Sequence, residues 1–333
     1  MILGTFTSRA SIIRLVKAVL AILFIWFAAQ YIFQDREVLR QALAIKGETL
    51  LYIALLLVAY FFLYSLRYVL LVEKHCKCRI PVMKWFQMLV VLRFMNNVVP
   101  QMGTVYRGVK LKKDYGISYS DYAAATLFFI WSDSWFNFFL AAALLALSGV
   151  QGDLGARINQ STLVASGAII FVLPFMVTLL LRFFPGLHKF RWSGKSMAIA
   201  DEFHGAMTDV AYLVKFTGLG LASFFLMAIV FQLLLSTVGA TASITTLAIF
   251  YALYRLTFHV SLTPGNVGIR EVAYGVLCQQ ASIGMQQGVI VSAELRVLSM
   301  ATLAILAGLV GGSQLLEALK IKRGPQDGAG QPA

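Results

Sequence analysis

Charge is scarce in this chain, and negative charge is scarcest. Asp, Glu, Lys and Arg together make up 13% of its 333 residues, and 15 acidic residues stand against 28 basic ones. Soluble domains hold about 25% charged residues, so a surface wetted on all sides is excluded. Cysteine is almost absent, and the three present cannot all pair with one another. Cys76 and Cys78 flank a basic loop with His75, Lys74, Lys77 and Arg79. Two thiols and an imidazole without a fourth ligand make a poor zinc site, so no metal is expected. Cys278, within an apolar run, is expected to pack as a small hydrophobe. A glycine-rich nucleotide loop, a paired-aspartate metal motif and a nucleophile beside a base are all missing. No catalytic residue is nominated and no cofactor expected; His259 alone on a helix is ordinarily a hydrogen-bonding residue. A cleavable leader is not expected either, because Leu15–Phe33 is long enough to span and no small-residue cleavage site follows it.

What the chain has in abundance is apolar length, at 59% hydrophobic residues. Six segments approach the ~20 residues a bilayer core requires: Leu15–Phe33, Leu50–Leu71, Tyr122–Leu147, Leu163–Phe183, Phe216–Thr237 and Val289–Gly311. Two more are interrupted. Trp85–Val99 meets Pro100 and Gly103 and resumes as a basic segment, and Leu247–Leu262 meets Pro264, Gly265 and Gly268 before resuming through Val272–Ile283. Broken backbone survives in hydrocarbon only inside protein or along a water-filled cavity. Both units therefore read as re-entrant hairpins.

The formal net charge of +13 belongs to loops that set orientation and meet anionic headgroups, and no nucleic-acid partner is expected. Arg9, Arg14 and Lys17 put the N-terminus in the cytoplasm. Lys74, Lys77, Arg79 and Lys84, then Lys110, Lys112 and Lys113, then Arg182, Lys189, Arg191 and Lys195, and last Lys320, Lys322 and Arg323 fall on the same side. That agreement holds only if each hairpin returns to the face it entered. The expected fold is an all-α polytopic inner-membrane protein, with six transmembrane helices plus two re-entrant helical hairpins and cytoplasmic termini.

Span, hairpin and span recur, once in 48–149 with hairpin 85–116 and again in 215–312 with hairpin 246–283. The two copies start on opposite faces, which is the pattern of an inverted-topology repeat whose paired breaks mark a binding site. Between them, 150–214 holds a linking helix and an amphipathic cytoplasmic segment, Ser196–Val214. A polar tail, 313–333, closes the single membrane domain and is expected to be partly disordered.

Ionisable residues at membrane depth are functional candidates by default. Arg93, Arg107, Arg255 and Arg270, with Pro264, Gly265 and Gly268 of the second break, form a candidate lipid- or phosphate-binding set. Asp133, Glu271 and Glu294 are their expected charge partners. For Asp133 an arginine of the first hairpin is the obvious partner, and Arg296 is not on the face of Glu294. Arg67 is equally compatible with snorkelling to the interface. The N-terminus of the helix opened by Arg270 and Glu271 could hold an anion, and arginine forks suit phosphate esters.

The stretch Tyr254-Arg255-Leu256-Thr257 through Pro264-Gly265-Asn266-Val267-Gly268-Ile269-Arg270-Glu271 resembles the signature of the lysylphosphatidylglycerol synthase transmembrane, or flippase-domain, family. Leu66-Arg67-Tyr68 and the first break with Pro100, Gly103 and Arg107 also look like it, and the resemblance covers about Leu15 to Gly311. It implies paired re-entrant hairpins handling phospholipids or polyprenyl-linked lipids. The chain is identified as a stand-alone member without the soluble aminoacyl-transferase domain of larger relatives. Gly103-Thr104 and Ile130-Trp131 stand where the family often has a Gly-Glu and a Glu-Arg pair. The expected function is lipid translocation or lipid binding, with membrane lipids, anionic or phosphate-bearing, as partners. The alternative is a membrane transferase or an accessory subunit of a lipid-modifying or glycosyl-transfer enzyme. A partner enzyme and homo-oligomerisation are both left open, Gly308, Gly311 and Gly312 being small enough for close helix approach.

Overall fold

The computed structural model describes residues 44–98, 102–147, 209–259 and 268–310, together with residue 40 and seven scattered positions between 164 and 176. Among these residues the structure is all helix, with no strand: α1 Gly47–Cys76, α2 Val82–Val98, α3 Met102–Tyr115, α4 Tyr119–Leu147, α5 Val210–Thr237, α6 Ile244–His259, α7 Ile269–Gln280 and α8 Met285–Leu309. Leu15–Phe33, most of Leu163–Phe183, most of the amphipathic segment, the tail, Pro100, Pro264 and Gly265 lie outside the described residues.

Four helices, α1, α4, α5 and α8, are long and apolar enough to cross a membrane. They coincide with four of the expected spans. The remaining four have 17, 14, 16 and 12 residues in chain order. At ~1.5 Å per residue even the longest falls short of the ~30 Å hydrocarbon core. They fall where the two interrupted units were expected, α2 and α3 in the first and α6 and α7 in the second.

Local chemistry explains where several helices start. Ser118, Asp209 and Ser243 immediately precede α4, α5 and α6, and each side-chain oxygen accepts the third helical N–H, at 3.1, 3.0 and 3.2 Å. At the first interruption, Asn96 of α2 accepts the Gly103 N–H at 2.8 Å, so one side chain satisfies a donor that the break would otherwise orphan. Gly103 lies so close to α2 that a Cβ there would overlap the Leu92 carbonyl.

Helix packing follows a rule. When α1 is exchanged with α5, α2 with α6, α3 with α7 and α4 with α8, every substantial helix contact maps onto another. Thus α4 packs on α6 and α8 on α2, α1 packs on α4 and α5 on α8, and the α1–α5 contact is its own counterpart. The two central helices run antiparallel. Lys74, near the end of α1, pairs with Asp209 at the start of α5, and Arg67 packs on Phe216.

Two large apolar clusters and a small one, Val91, Met95 and Tyr106, fill the interior of the described residues. One large cluster gathers Ile53, Leu57, Phe231, Phe250, Tyr254 and Tyr274; the other gathers Tyr68, Trp85, Phe129, Trp131 and Phe216. The buried charges described next lie against the aromatic rings of these clusters.

Candidate functional site

Tyr60, Tyr64 and Tyr68 are spaced four apart on α1, so they form one stripe along a helix face. The interior arginines collect on it. Arg255 of α6 donates from Nη1 to the Tyr60 hydroxyl at 2.8 Å. Its guanidinium lies 4.4 Å from the Tyr64 ring centroid, and Arg93 of α2 lies 4.4 Å from the same ring. Arg107 of α3 sits over Tyr68 at 4.4 Å and over Trp85 and Tyr122 at 5.1 and 5.2 Å. It donates to the Tyr68 and Tyr122 hydroxyls, each at 2.9 Å. A buried guanidinium without bulk water is stabilised by ring quadrupoles, roughly 2 kcal/mol or more per desolvated contact. Arg270 of α7 joins the set at one remove, 4.9 Å from the Tyr254 ring, which packs on Tyr60 at 6.1 Å.

At the centre, two arginines share one carboxylate. Asp133 of α4 is fully buried and meets Arg67 Nη1 through Oδ1. Through Oδ2 it accepts from Arg255 Nε and Nη2 at 2.8 and 2.5 Å. Arg67 is 1% exposed, so it does not snorkel. Its guanidinium packs over Phe216 at 3.9 Å and Phe136 at 4.6 Å. Gly220 of α5 makes room, since a Cβ there would lie 2.8 Å from the Phe136 ring and 3.2 Å from Arg67 Cζ. An arginine of the first hairpin was expected beside Asp133. Arg67 of α1 and Arg255 of the second interrupted unit are among the partners it has.

Glu271 binds both a backbone donor and an arginine. Gly268 precedes α7 with φ +83°, a conformation that glycine reaches without a Cβ penalty. Its N–H donates to Glu271 Oε2 at 2.7 Å, so the chain's own carboxylate satisfies the first donor of that terminus. Arg296 of α8 clamps the same carboxylate, Nε to Oε1 at 2.7 Å and Nη2 to Oε2 at 2.9 Å. Glu294 turns elsewhere and accepts from Thr237 of α5 at 3.2 Å, so Glu294 and Arg296 do serve different elements.

The structure therefore brings Arg93, Arg107 and Arg255 onto one tyrosine spine, with Asp133 bound to Arg255 and Arg270 reaching the spine through Tyr254; Glu271 pairs with Arg296 and Glu294 bonds Thr237. Arg67, Arg296, the three tyrosines and Gly220 complete the arrangement. Of these, the four-residue tyrosine spacing beside Arg67 was visible in the sequence. At one end, partly exposed Lys74 also lies over the Tyr212 ring at 4.9 Å. Its ammonium, hydrogen-bonded to Asp209, holds that carboxyl below the usual carboxylate range.

Long apolar helices enclosing a cationic, aromatic-lined interior define a polytopic integral membrane protein. The profile of the lysylphosphatidylglycerol synthase TM region matches residues 14–307, and the chain belongs to that family. A membrane, lipid-related role follows from this membership. No curated protein and no solved structure matches the chain.

Proposed function

We propose that the protein is a flippase-like lipid translocase or lipid-binding transporter, moving a phosphate-bearing amphiphile between two re-entrant hairpins, α2–α3 and α6–α7. One observation carries this reading. Among the described residues five arginines are buried, at positions 67, 93, 107, 255 and 270, against two buried carboxylates, Asp133 and Glu271. The partly buried Arg296 and Glu294 add one of each sign. An uncompensated charge out of water costs several kcal/mol. An interior with this excess suits an anionic guest, and arginine forks match phosphate oxygens.

The packing exchange between α1–α4 and α5–α8, with α1 and α5 antiparallel, supports an inverted repeat, an arrangement in which transporters bind between the copies. In this reading the protein lies in the inner membrane with both termini in the cytoplasm. Pro264, Gly265 and Gly268 shape the second break, and Arg270 lines the path.

The test is reconstitution in liposomes with fluorescent phosphate-headgroup lipids, following their flipping by dithionite quenching. Flipping above protein-free vesicles, lost in Arg270→Ala and in Glu271→Gln while both remain monodisperse, is the expected result. Flipping retained in both variants, or none with any phosphate headgroup, overturns it.

A further inference from the structure

Arg67 has two hydrogen-bonding edges, and only one is used. Nη1 reaches Asp133. Nε and Nη2, the edge that engages two oxygens of a carboxylate or phosphate in parallel, are buried with no hydrogen-bond partner among the described residues. Leaving such donors unmet costs the desolvation of each, about 1–3 kcal/mol and more when charged. The edge is also held in place, because Phe136 and Phe216 pack on the guanidinium and Gly220 lets α5 approach it.

A second unmet group lies nearby, on the ring next to the one that Arg67 covers. The Tyr212 hydroxyl of α5 is buried without a hydrogen-bond partner among the described residues, its ring stacks on Phe216 at 5.7 Å, and Arg67 lies within electrostatic reach of it. From Tyr212 the path continues outward to Lys74 over its ring, then to the partly exposed Lys74–Asp209 pair. A water could accept from the Arg67 edge, but it would leave two guanidiniums sharing one carboxylate. An anion satisfies the donors and the charge together.

We propose that the Nε–Nη2 edge of Arg67 seats one phosphate oxyanion between α1, α4 and α5, with the Tyr212 hydroxyl as a further donor. The phosphate is either that of a lipid headgroup or free in solution. The proposal rests on the translocation reading only for the class of ligand. It places the anion on the α1–α5 contact rather than at the hairpin breaks.

The test uses the full chain in detergent and reads thermal unfolding. Sodium phosphate is compared with sodium chloride at equal ionic strength, and micelles doped with phosphatidylglycerol are compared with micelles doped with diacylglycerol. Stabilisation by phosphatidylglycerol but not diacylglycerol assigns the seat to a headgroup; stabilisation by inorganic phosphate assigns it to a free anion. Either supports the site when Arg67→Lys, which keeps the charge but loses the fork, binds the probe roughly tenfold more weakly. Tyr212→Phe removes a hydroxyl with no partner, so it should fold as the parent does and still bind several-fold more weakly. No stabilisation of the parent protein by either probe, or unchanged binding in both variants, overturns the proposal. Phosphate binding lost in Arg67→Lys with no flipping in liposomes would instead sink translocation and leave this site standing.

Discussion

Arg93 and Arg255 lie against the same ring, each guanidinium 4.4 Å from the centroid of Tyr64. They occupy the same place in their helices, the twelfth residue of α2 and the twelfth of α6. These helices are partners in the packing exchange, so equivalent cations of the two halves converge on one tyrosine of α1. Like charges so placed repel, and the shared ring, with Asp133 paired to Arg255, makes the approach tolerable.

Removing that ring should therefore cost more than its apolar area. Tyr64→Leu is expected to destabilise the protein by about 2 kcal/mol or more, the scale of a desolvated cation–π contact. Tyr64→Phe keeps the π face and should stay within about 0.5 kcal/mol of the parent. Thermal unfolding in detergent compares the two, and equal losses would mean that the ring acts by packing alone.

Asp133 is the counter-ion for two guanidiniums, and its neutralisation should be severe. Asp133→Asn strands both and is expected to cost about 3–5 kcal/mol, the range for breaking a buried pair. Adding Arg255→Met removes one stranded charge, so the double variant should lose much less than the two single losses combined. A double-mutant cycle measures this, with a coupling of about 1–3 kcal/mol expected for residues in direct contact.

Much of this architecture is legible from local pattern, because span length and end chemistry are local properties. Four spans and the position of the interruptions follow from apolar length, Pro and Gly, and Asp133 stands out as an acid deep in an apolar run. Arg67 does not. An arginine near a helix end reads the same whether it snorkels or turns inward, and the deciding contacts come from Asp133, Phe216 and Gly220, far along the chain. Glu271 is different, since its signal was present. Gly268 and Glu271 have the spacing of an N-cap and the acidic third residue of a capping box. That spacing pointed to the bond by which Glu271 takes the Gly268 N–H.

Gly218 and Gly220 sit on one helix and should respond oppositely to the same substitution. A Cβ at Gly218 meets nothing within 4 Å, whereas one at Gly220 meets the Phe136 ring at 2.8 Å and Arg67 Cζ at 3.2 Å. Gly218→Ala should stabilise α5 by about 0.5–1 kcal/mol through helix propensity. Gly220→Ala should destabilise by about 1–3 kcal/mol through overpacking. Unfolding of the two variants side by side checks this, and a neutral Gly220→Ala would show that the Phe136 ring yields.

The Lys74–Asp209 pair gives the clearest pH dependence at the end of the α1–α5 contact. The Lys74 hydrogen bond, then the Tyr212 N–H, lower the Asp209 carboxyl below its unfolded value. A group depressed on folding stabilises the native state above its unfolded pKa and loses that contribution as pH falls through the folded one. The pair should thus help fully at neutral pH and fade below the ordinary carboxylate range, near ~4. Because both side chains are partly exposed, at 32% and 43%, salt should weaken the effect as well. The measurement is the melting difference between the parent and Asp209→Asn from pH 7 to pH 3. It should be constant at first, then shrink on acidification, and shrink earlier in Lys74→Met, where the carboxyl regains a higher pKa. A difference that stays flat to pH 3 in both backgrounds would remove Lys74 as the cause and leave Asp209 as a cap whose neutral form serves equally well.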